Sequence, residues 1–169
     1  MRFTYAEAMT DPSYMAPLAQ AAEAAGYDSF LIPDSVAYPE ESDSQYPFTE
    51  DGSREFLEDK PILEPFALVS ALAMVTERLR IAHLVLCSAF RHPAMLAKEA
   101  VSLDHLSGGR FDLGLGTGYV KEEFDAAGIP FPSAGERVDH LRDTVEYMAE
   151  NLPDVPIMIA GNGDRVLRI

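Results

Sequence analysis

The residues best suited to chemistry in this chain stand at the ends of short apolar runs. Gly116-Thr117-Gly118 sets a hydroxyl between two glycines, directly after a run in which Phe111, Leu113 and Leu115 alternate with Asp112, Gly114 and Gly116. A strand there has one bulky apolar face and one nearly bare face. A bare face lets something large approach the backbone. Loops at the C-terminal ends of parallel strands are where α/β proteins bind ligands, so this turn is a candidate site; a tight strand-to-helix turn with no ligand is the other reading. Asp34 and Ser35 follow the run Tyr27 to Ile32 in the same way. A carboxylate at such a strand end either serves chemistry or caps the next turn. His92 is held extended by Pro93 at a helix start, where it contacts a bound group or bonds to a loop. Tyr119 either lies over a ligand or packs. His83 sits inside an apolar run and reads as a satisfied core histidine. Cys87 has no neighbouring cation in sequence and reads as a buried apolar group. His83, His92 and Asp34 make no recognised ligand spacing, so no metal is expected.

Helices and strands in alternation would position these groups. Arg2 to Ala6 is a short strand. Asp11-Pro12 starts a helix that runs to about Ala25, with Met15, Leu18 and Ala22 in its apolar stripe and Gly26 at its stop. The strand Tyr27 to Ile32 leads into residues 36 to 61, which have no sustained period. They hold Pro39, Pro47, Gly52 and Pro61, and their aromatics Tyr38, Tyr46 and Phe48 favour a packed insertion loop. Pro65 and Pro93 open two further helices, striped by Leu68, Leu72 and Val75 and by Leu96, Ala100 and Leu103. Between them Leu79 to Leu86 is almost wholly apolar, as a strand buried on both faces would be. Lys121 to Phe124 suggests a helical turn. Ser133 and Glu136 match a capping box before the stripe Val138, Leu141, Val145 and Met148. Val155 to Ala160 is a fifth strand, followed by Gly161-Asn162-Gly163 and the start of a helix.

Strict alternation implies a parallel sheet with right-handed crossovers. The unit lengths suit a (β/α) barrel, but eight units need ~200 residues or more. The expected fold is therefore an α/β domain spanning residues 1–169: an incomplete barrel of about five parallel strands with outer helices. The formal net charge of −15 argues against nucleic acid as a partner. Apolar residues make up 47% of the chain, yet no run has the length of a membrane span, and the N-terminus shows no secretion signal. A soluble cytoplasmic protein is expected.

Several of these stretches together resemble the luciferase-like monooxygenase family. They are Pro33-Asp34-Ser35, Arg91-His92-Pro93, Leu103-Asp104-His105-Leu106-Ser107-Gly108-Gly109-Arg110, Gly114 to Gly118 and Pro156 to Gly161. The likeness is strongest to members that use the deazaflavin coenzyme F420, with FMN as the alternative. It implies a TIM-type barrel holding the cofactor at the C-terminal ends of its strands. Gly116, Thr117, Gly118 and Tyr119 would lie near the ring or its ribityl arm, with His92 as a further contact. Leu84-Val85, where the family carries a non-proline cis peptide, would form the floor. Gly161, Asn162 and Gly163 would cradle the phosphate with backbone amides. The implied activity is hydride transfer between F420 or reduced FMN and a small organic substrate, with Asp34, Ser35 and Thr117 as the catalytic candidates.

Three departures from the family stand out. Relatives often place a histidine where Ser35 stands, and serine cannot do imidazole acid/base work near neutral pH. Relatives usually carry ~20 to 40 residues between the fourth helix and fifth strand, an unusually long loop, where this chain has only Glu150 to Asp154. Strands six to eight are absent from this sequence, so it reads as a fragment, a reduced relative or one part of an assembly. Open sheet edges imply a homodimer or higher homo-oligomer. A non-catalytic flavin-binding or interaction protein is the competing reading.

Overall fold

The computed structural model describes residues 1–7, 9–46, 49–152 and 154–169. Its strands are β1 (Thr4–Ala6), β2 (Ser29–Ile32), β3 (Arg80–His83), β4 (Leu86–Cys87), β5 (Phe111–Gly116) and β6 (Ile157–Ile159). Between them run α1 (Pro12–Ala24), α2 (Pro65–Val75), α3 (Pro93–Ser107), α4 (Lys121–Ala126) and α5 (Ala134–Asn151). Each long helix starts where a side chain can take up its free amides. Asp11 accepts from the Ser13 N–H at 2.9 Å, and Glu64 from the Ala67 N–H at 2.7 Å. Ser133 and Glu136 form both bonds of the capping box on α5. Gly108 ends α3 in the left-handed conformation, φ 67° and ψ 42°, which suits a residue without Cβ.

Every strand pair is parallel, in the order β1-β2-β3-β5, with β4 and β6 also paired to β5. This is the expected α/β architecture, with one correction. The run expected as a continuous third strand breaks at Leu84-Val85, whose peptide bond is cis. β3 pairs with the start of β5 through Ile81–Phe111, and β4 with its end through Cys87–Gly116. Six strands thus occupy five positions in the sheet.

One face of the sheet holds Phe30, Ile32, Ile81, Phe111, Leu113 and Leu115, none more than 1% exposed. They pack with Leu68 and Leu72 of α2, Leu96, Ala100 and Leu103 of α3, and Leu141 of α5. Burying such a side chain stabilises by about 1.5–3 kcal/mol, so this layer dominates the fold's stability. The other face carries Thr4, Ser29, Leu31, Arg80, Ala82 and Asp112 around an open hollow of about 1040 Å³.

The N-terminal rim of the sheet is fastened by polar groups. Arg110 donates to the carbonyls of Ala73, Leu79 and Ser107 at 2.7 to 2.8 Å and to the Thr76 hydroxyl at 3.0 Å. It fixes the helix-to-strand turn, as expected from the sequence. His105 is exposed, and only its backbone carbonyl joins the cap. Arg80 grips Asp112 through Nε at 3.0 Å, and Glu23 accepts from the N–H groups of Glu77 and Leu79 at 2.9 and 2.8 Å.

Residues 36–61 hold one short 3-10 turn, Glu55–Leu57, and fold onto α4. Ser44 Oγ donates to Glu122 at 3.0 Å, and Tyr46 lies 6.4 Å from the Tyr119 ring. The packed loop expected from its aromatics is present for Tyr46. Pro47 and Phe48 lie outside the described residues, as does Pro153 in the α5–β6 joint.

His83 closes β3 at 0% exposure, edge-on to Phe66 (4.8 Å) and Phe111 (5.1 Å). It is a core histidine, as expected; no well-formed hydrogen bond reaches either ring nitrogen among the described residues, and the Pro65 backbone is the polar group that approaches the ring. Burial pushes its pKa down to about 3, and the charge of Arg91 acts in the same direction, against a smaller contribution from the Pro65 backbone. A base depressed from ~6.5 in the unfolded chain contributes stability that is full above that value and is lost as pH falls toward 3, at ~1.4 kcal/mol per unit. In urea unfolding at stepped pH, the parent chain should lose stability below pH ~6.5 more steeply than His83→Leu. Equal slopes for the two would show that the ring is solvated.

Candidate functional site

The C-terminal ends of the strands form the second rim, and its shape begins with β5. A Cβ placed on Gly114 would overlap the His83 carbonyl oxygen, and one on Gly116 would lie 2.8 Å from Val85 Cγ2. This corrects the expectation of a bare face open to a ligand ring. Gly114 and Gly116 are buried because the segment joining β3 to β4 fills their face. The glycines admit backbone and Val85 rather than a bound group. The same fit leaves Leu84 projecting, 42% exposed.

Around this bulge the rim gathers charge. Asp34 follows β2, with a side chain only 8% exposed. The Cys87 N–H donates to it, and Arg91 Nη1 lies 3.7 Å away. Burial raises the Asp34 pKa above the usual carboxylate range; the Arg91 charge opposes this, and nearby Glu64 adds to it. Arg91 also pairs with Glu64 at 2.9 Å and Glu99 at 3.6 Å, and its guanidinium lies 4.9 Å from the centre of the Phe66 ring. Next in the chain, the Ser35 hydroxyl donates to Glu123 Oε1 on α4. Burial raises the Glu123 pKa as well, the Ser35 bond opposing and the Asp34 charge adding. Cys87 lies between these acids. Burial, with Asp34 and Glu123 adding, pushes its thiol up to about 11, so it stays protonated and inert near neutral pH.

The insertion loop supplies the second cation. Arg54, 7% exposed, donates to Ser42 Oγ at 2.7 Å and to the Tyr119 hydroxyl. Tyr119 itself is 40% exposed. Thr117 is half-buried, and its hydroxyl makes no hydrogen bond among the described residues. A Cβ on Gly118 would overlap Cys87 Sγ, so this turn closes on β4. At the end of β6, Gly161, Asn162 and Gly163 are exposed, and the Gly163 carbonyl accepts from the Val166 and Leu167 N–H groups.

The structure therefore brings Asp34, Ser35 and Cys87 together and sets Thr117, Tyr119, Leu84 and the Gly161–Gly163 turn on the same rim. His92 stands apart. It is exposed, and its Nδ1 accepts from the Ala94 N–H at 3.2 Å, so it caps α3. Its neighbour Arg91 faces the acids. Arg91, Glu123 and Arg54 were missed by sequence reasoning. Arg91 had a faint signal in its place before His92-Pro93. Glu123 and Arg54 had none, because their partners lie far off in the chain. Among the described residues no cluster of His, Cys, Asp and Glu is placed to hold a metal ion, and no helix is long and apolar enough to cross a membrane.

Residues 2–162 match the profile of a family described as luciferase-like monooxygenase. This chain belongs to that family. An uncharacterized protein of Mycobacterium tuberculosis is 46% identical over 189 aligned positions, covering 99% of this chain and 66% of the relative. That alignment is longer than this chain, so the relative carries residues that have no counterpart here. Among solved structures, the coenzyme F420-dependent tetrahydromethanopterin reductase from Methanopyrus kandleri superposes with a TM-score of 0.72 at 20% identity, over 99% of this chain and 52% of its own. The oxygenating constituent of 3,6-diketocamphane monooxygenase from Pseudomonas putida, in complex with FMN, gives 0.67 at 20% identity, over 88% and 38%. The chain thus spans about two thirds of its curated relative and 52% and 38% of these two enzymes. At that identity the two structures establish the shared fold.

The packing of β5 against the bulge makes a direct prediction. Gly114→Ala drives a methyl into the His83 carbonyl, a backbone atom that cannot swing aside, and should cost about 1–3 kcal/mol as overpacking does. Thermal unfolding should show a clear drop in Tm. An unchanged Tm would mean that the 83–85 segment is free to retreat.

Proposed function

We propose that this chain supplies the cofactor-holding part of an oxidoreductase in which hydride moves between bound F420 and a small organic molecule, with FMN as the alternative cofactor. The observation that carries this reading is the projecting Leu84. An apolar side chain, 42% exposed, stands on a rim otherwise lined by charge, held out by a bulge that the glycine face of β5 fixes in place. A flat aromatic ring is the kind of group that would cover it.

The other rim residues fit a cofactor of this class. The Thr117 hydroxyl is free to donate to a ring oxygen or nitrogen. A Cβ on Gly163 would meet nothing within 4 Å, so its backbone is open to a phosphate, and backbone amides in such a turn suit an anion. Gly116 is no longer part of the ring wall, since Val85 occupies its face. Likeness in fold to an F420-dependent reductase, over 99% of this chain and 52% of that one, supports F420, and likeness to an FMN complex supports the alternative.

When bound, either cofactor supplies hydride chemistry that no side chain can. The chain's own residues hold and exclude. Leu84 and Val85 give an apolar floor that keeps water from one side. Arg91 and the Cys87 amide hold Asp34 in one orientation beside Ser35. Arg54 holds Tyr119, and through it the loop 36–61 closes over α4. Ser35 offers the hydroxyl through which a proton can reach a substrate oxygen.

Fluorescence titration of the purified chain with F420 and with FMN tests the reading. Binding of one of them is expected. Thr117→Val should weaken it by a lost hydrogen bond worth ~0.5–1.5 kcal/mol, roughly 2- to 13-fold in Kd. Leu84→Asp should abolish it while leaving the circular dichroism spectrum unchanged, since Leu84 is not core. Equal affinity in Leu84→Asp, or no binding of either cofactor by the parent chain, would overturn it.

A further inference from the structure

The proposed reaction needs a proton as well as a hydride, and the residue at the expected proton-transfer position is a serine. A serine hydroxyl is too weak an acid to give up a proton near neutral pH unless another group refills it. Four titratable side chains gather at the Ser35–Glu123 contact, and three are committed elsewhere. Asp34 faces Arg91 and takes the Cys87 amide, two contacts that oppose the effect of its burial and fix its carboxyl toward them. The Cys87 thiol is buried against the Gly118 turn, where a Cβ on that glycine would overlap its sulfur, so it is walled off from the rim. Tyr119 is bonded to Arg54. Glu123 is the remaining one. It comes from α4, 88 residues along the chain, and its Oε1 meets the Ser35 hydroxyl directly.

Glu123 also differs from its neighbour on the same helix. Glu122 faces the loop and accepts from Ser44 Oγ and the Asp43 N–H. Glu123 turns inward. The charged and titratable groups around it are Asp34 after β2, Cys87 of β4, and Arg54 of the loop with the Tyr119 that it holds; Val36 contributes a backbone N–H. Burial, with the Asp34 charge adding, makes the charged form of Glu123 costly, against the Ser35 bond, the Val36 N–H and Arg54.

We propose that Glu123 is a positioning residue that stores the proton for this reaction and passes it through the Ser35 hydroxyl to the substrate. This inference rests on the proposed oxidoreductase reading. In the reducing direction the hydride comes from the reduced cofactor. The Ser35 O–H bond breaks as a bond forms between that proton and the substrate oxygen. The Glu123 O–H bond breaks as the Ser35 hydroxyl is restored, leaving Glu123 as a carboxylate that accepts from Ser35. Solvent reprotonates it between turnovers. In the oxidising direction the same two bonds exchange in reverse.

The test needs no substrate. Carbon-13 NMR of glutamate-labelled chain, assigned by the loss of one signal in Glu123→Gln, follows the carboxyl through a pH titration. The Glu123 midpoint should lie above that of Glu122. Ser35→Ala should raise it, because the lost hydrogen bond favoured the carboxylate, and Asp34→Asn should lower it, because a like charge is gone. A midpoint no higher than that of Glu122, or one unmoved by Ser35→Ala, overturns the inference. If Glu123→Gln does not fold, assignment by Glu123→Asp serves the same comparison. F420 titration separates this inference from the reading beneath it. A parent chain that binds neither F420 nor FMN sinks the proposed function whatever Glu123 does. A parent that binds, with a Glu123 midpoint indifferent to Ser35, sinks the proton store alone.

Discussion

Everything at the C-terminal rim depends on how closely β5 can approach the segment between β3 and β4. The His83 carbonyl and the Val85 side chain occupy the space that side chains at positions 114 and 116 would need. Interiors are packed at crystal-like density, so such a fit leaves no slack. With the backbone seated there, the third strand cannot run on unbroken. It splits into β3 and β4, pairing with the two ends of β5 in turn. Leu84 is thrown outward, and the chain after β4 is aimed so that the Cys87 amide meets Asp34 and Arg91 reaches the acids. A two-glycine spacing in one strand thus sets the position of groups on two others.

The electrostatics of the rim follow from that placement. Arg91 neutralises a group of carboxylates from three elements: Asp34 after β2, Glu64 at the cap of α2 and Glu99 on α3. Breaking one partner of such a half-buried set leaves an uncompensated charge, which costs far more than an exposed pair would. Arg54 does the same on the loop side, beside Tyr119 and Glu123. The chain carries a formal net charge of −15, yet it places two arginines where acids are densest and least solvated. That is the arrangement a site needs if its carboxylates are to hold fixed directions without repelling one another apart.

The elements were legible in the sequence because their signals are local. Asp11-Pro12, Pro65 and the Ser133 to Glu136 box mark helix starts locally, and the structure starts helices at each, adding a Glu64 cap that the sequence reading did not name. The alternation in β5 gave its core face correctly. Its other face was misread, because a strand shows that a face is empty but not what fills it. A carbonyl from residue 83 leaves no mark on residues 111–116. The same limit hid Glu123 and Arg54, whose roles come from partners across the fold. His92 shows the converse case. A histidine before proline at a helix start has a local use as a cap, and the local use prevails.

The opposite rim bears on how such a chain can change over time. Arg110 with its three carbonyls, Arg80 with Asp112, and Glu23 with the amides of residues 77 to 79 all lie at the N-terminal ends of the strands. Among the described residues, no hydrogen bond or ion pair joins them to Asp34, Ser35, Leu84 or Thr117. The bonds that fasten the sheet and the groups that face a ligand are therefore on separate inheritances. Substitutions that retune one rim leave the clamps of the other in place, so a lineage can vary this rim without first having to find a new way to fold.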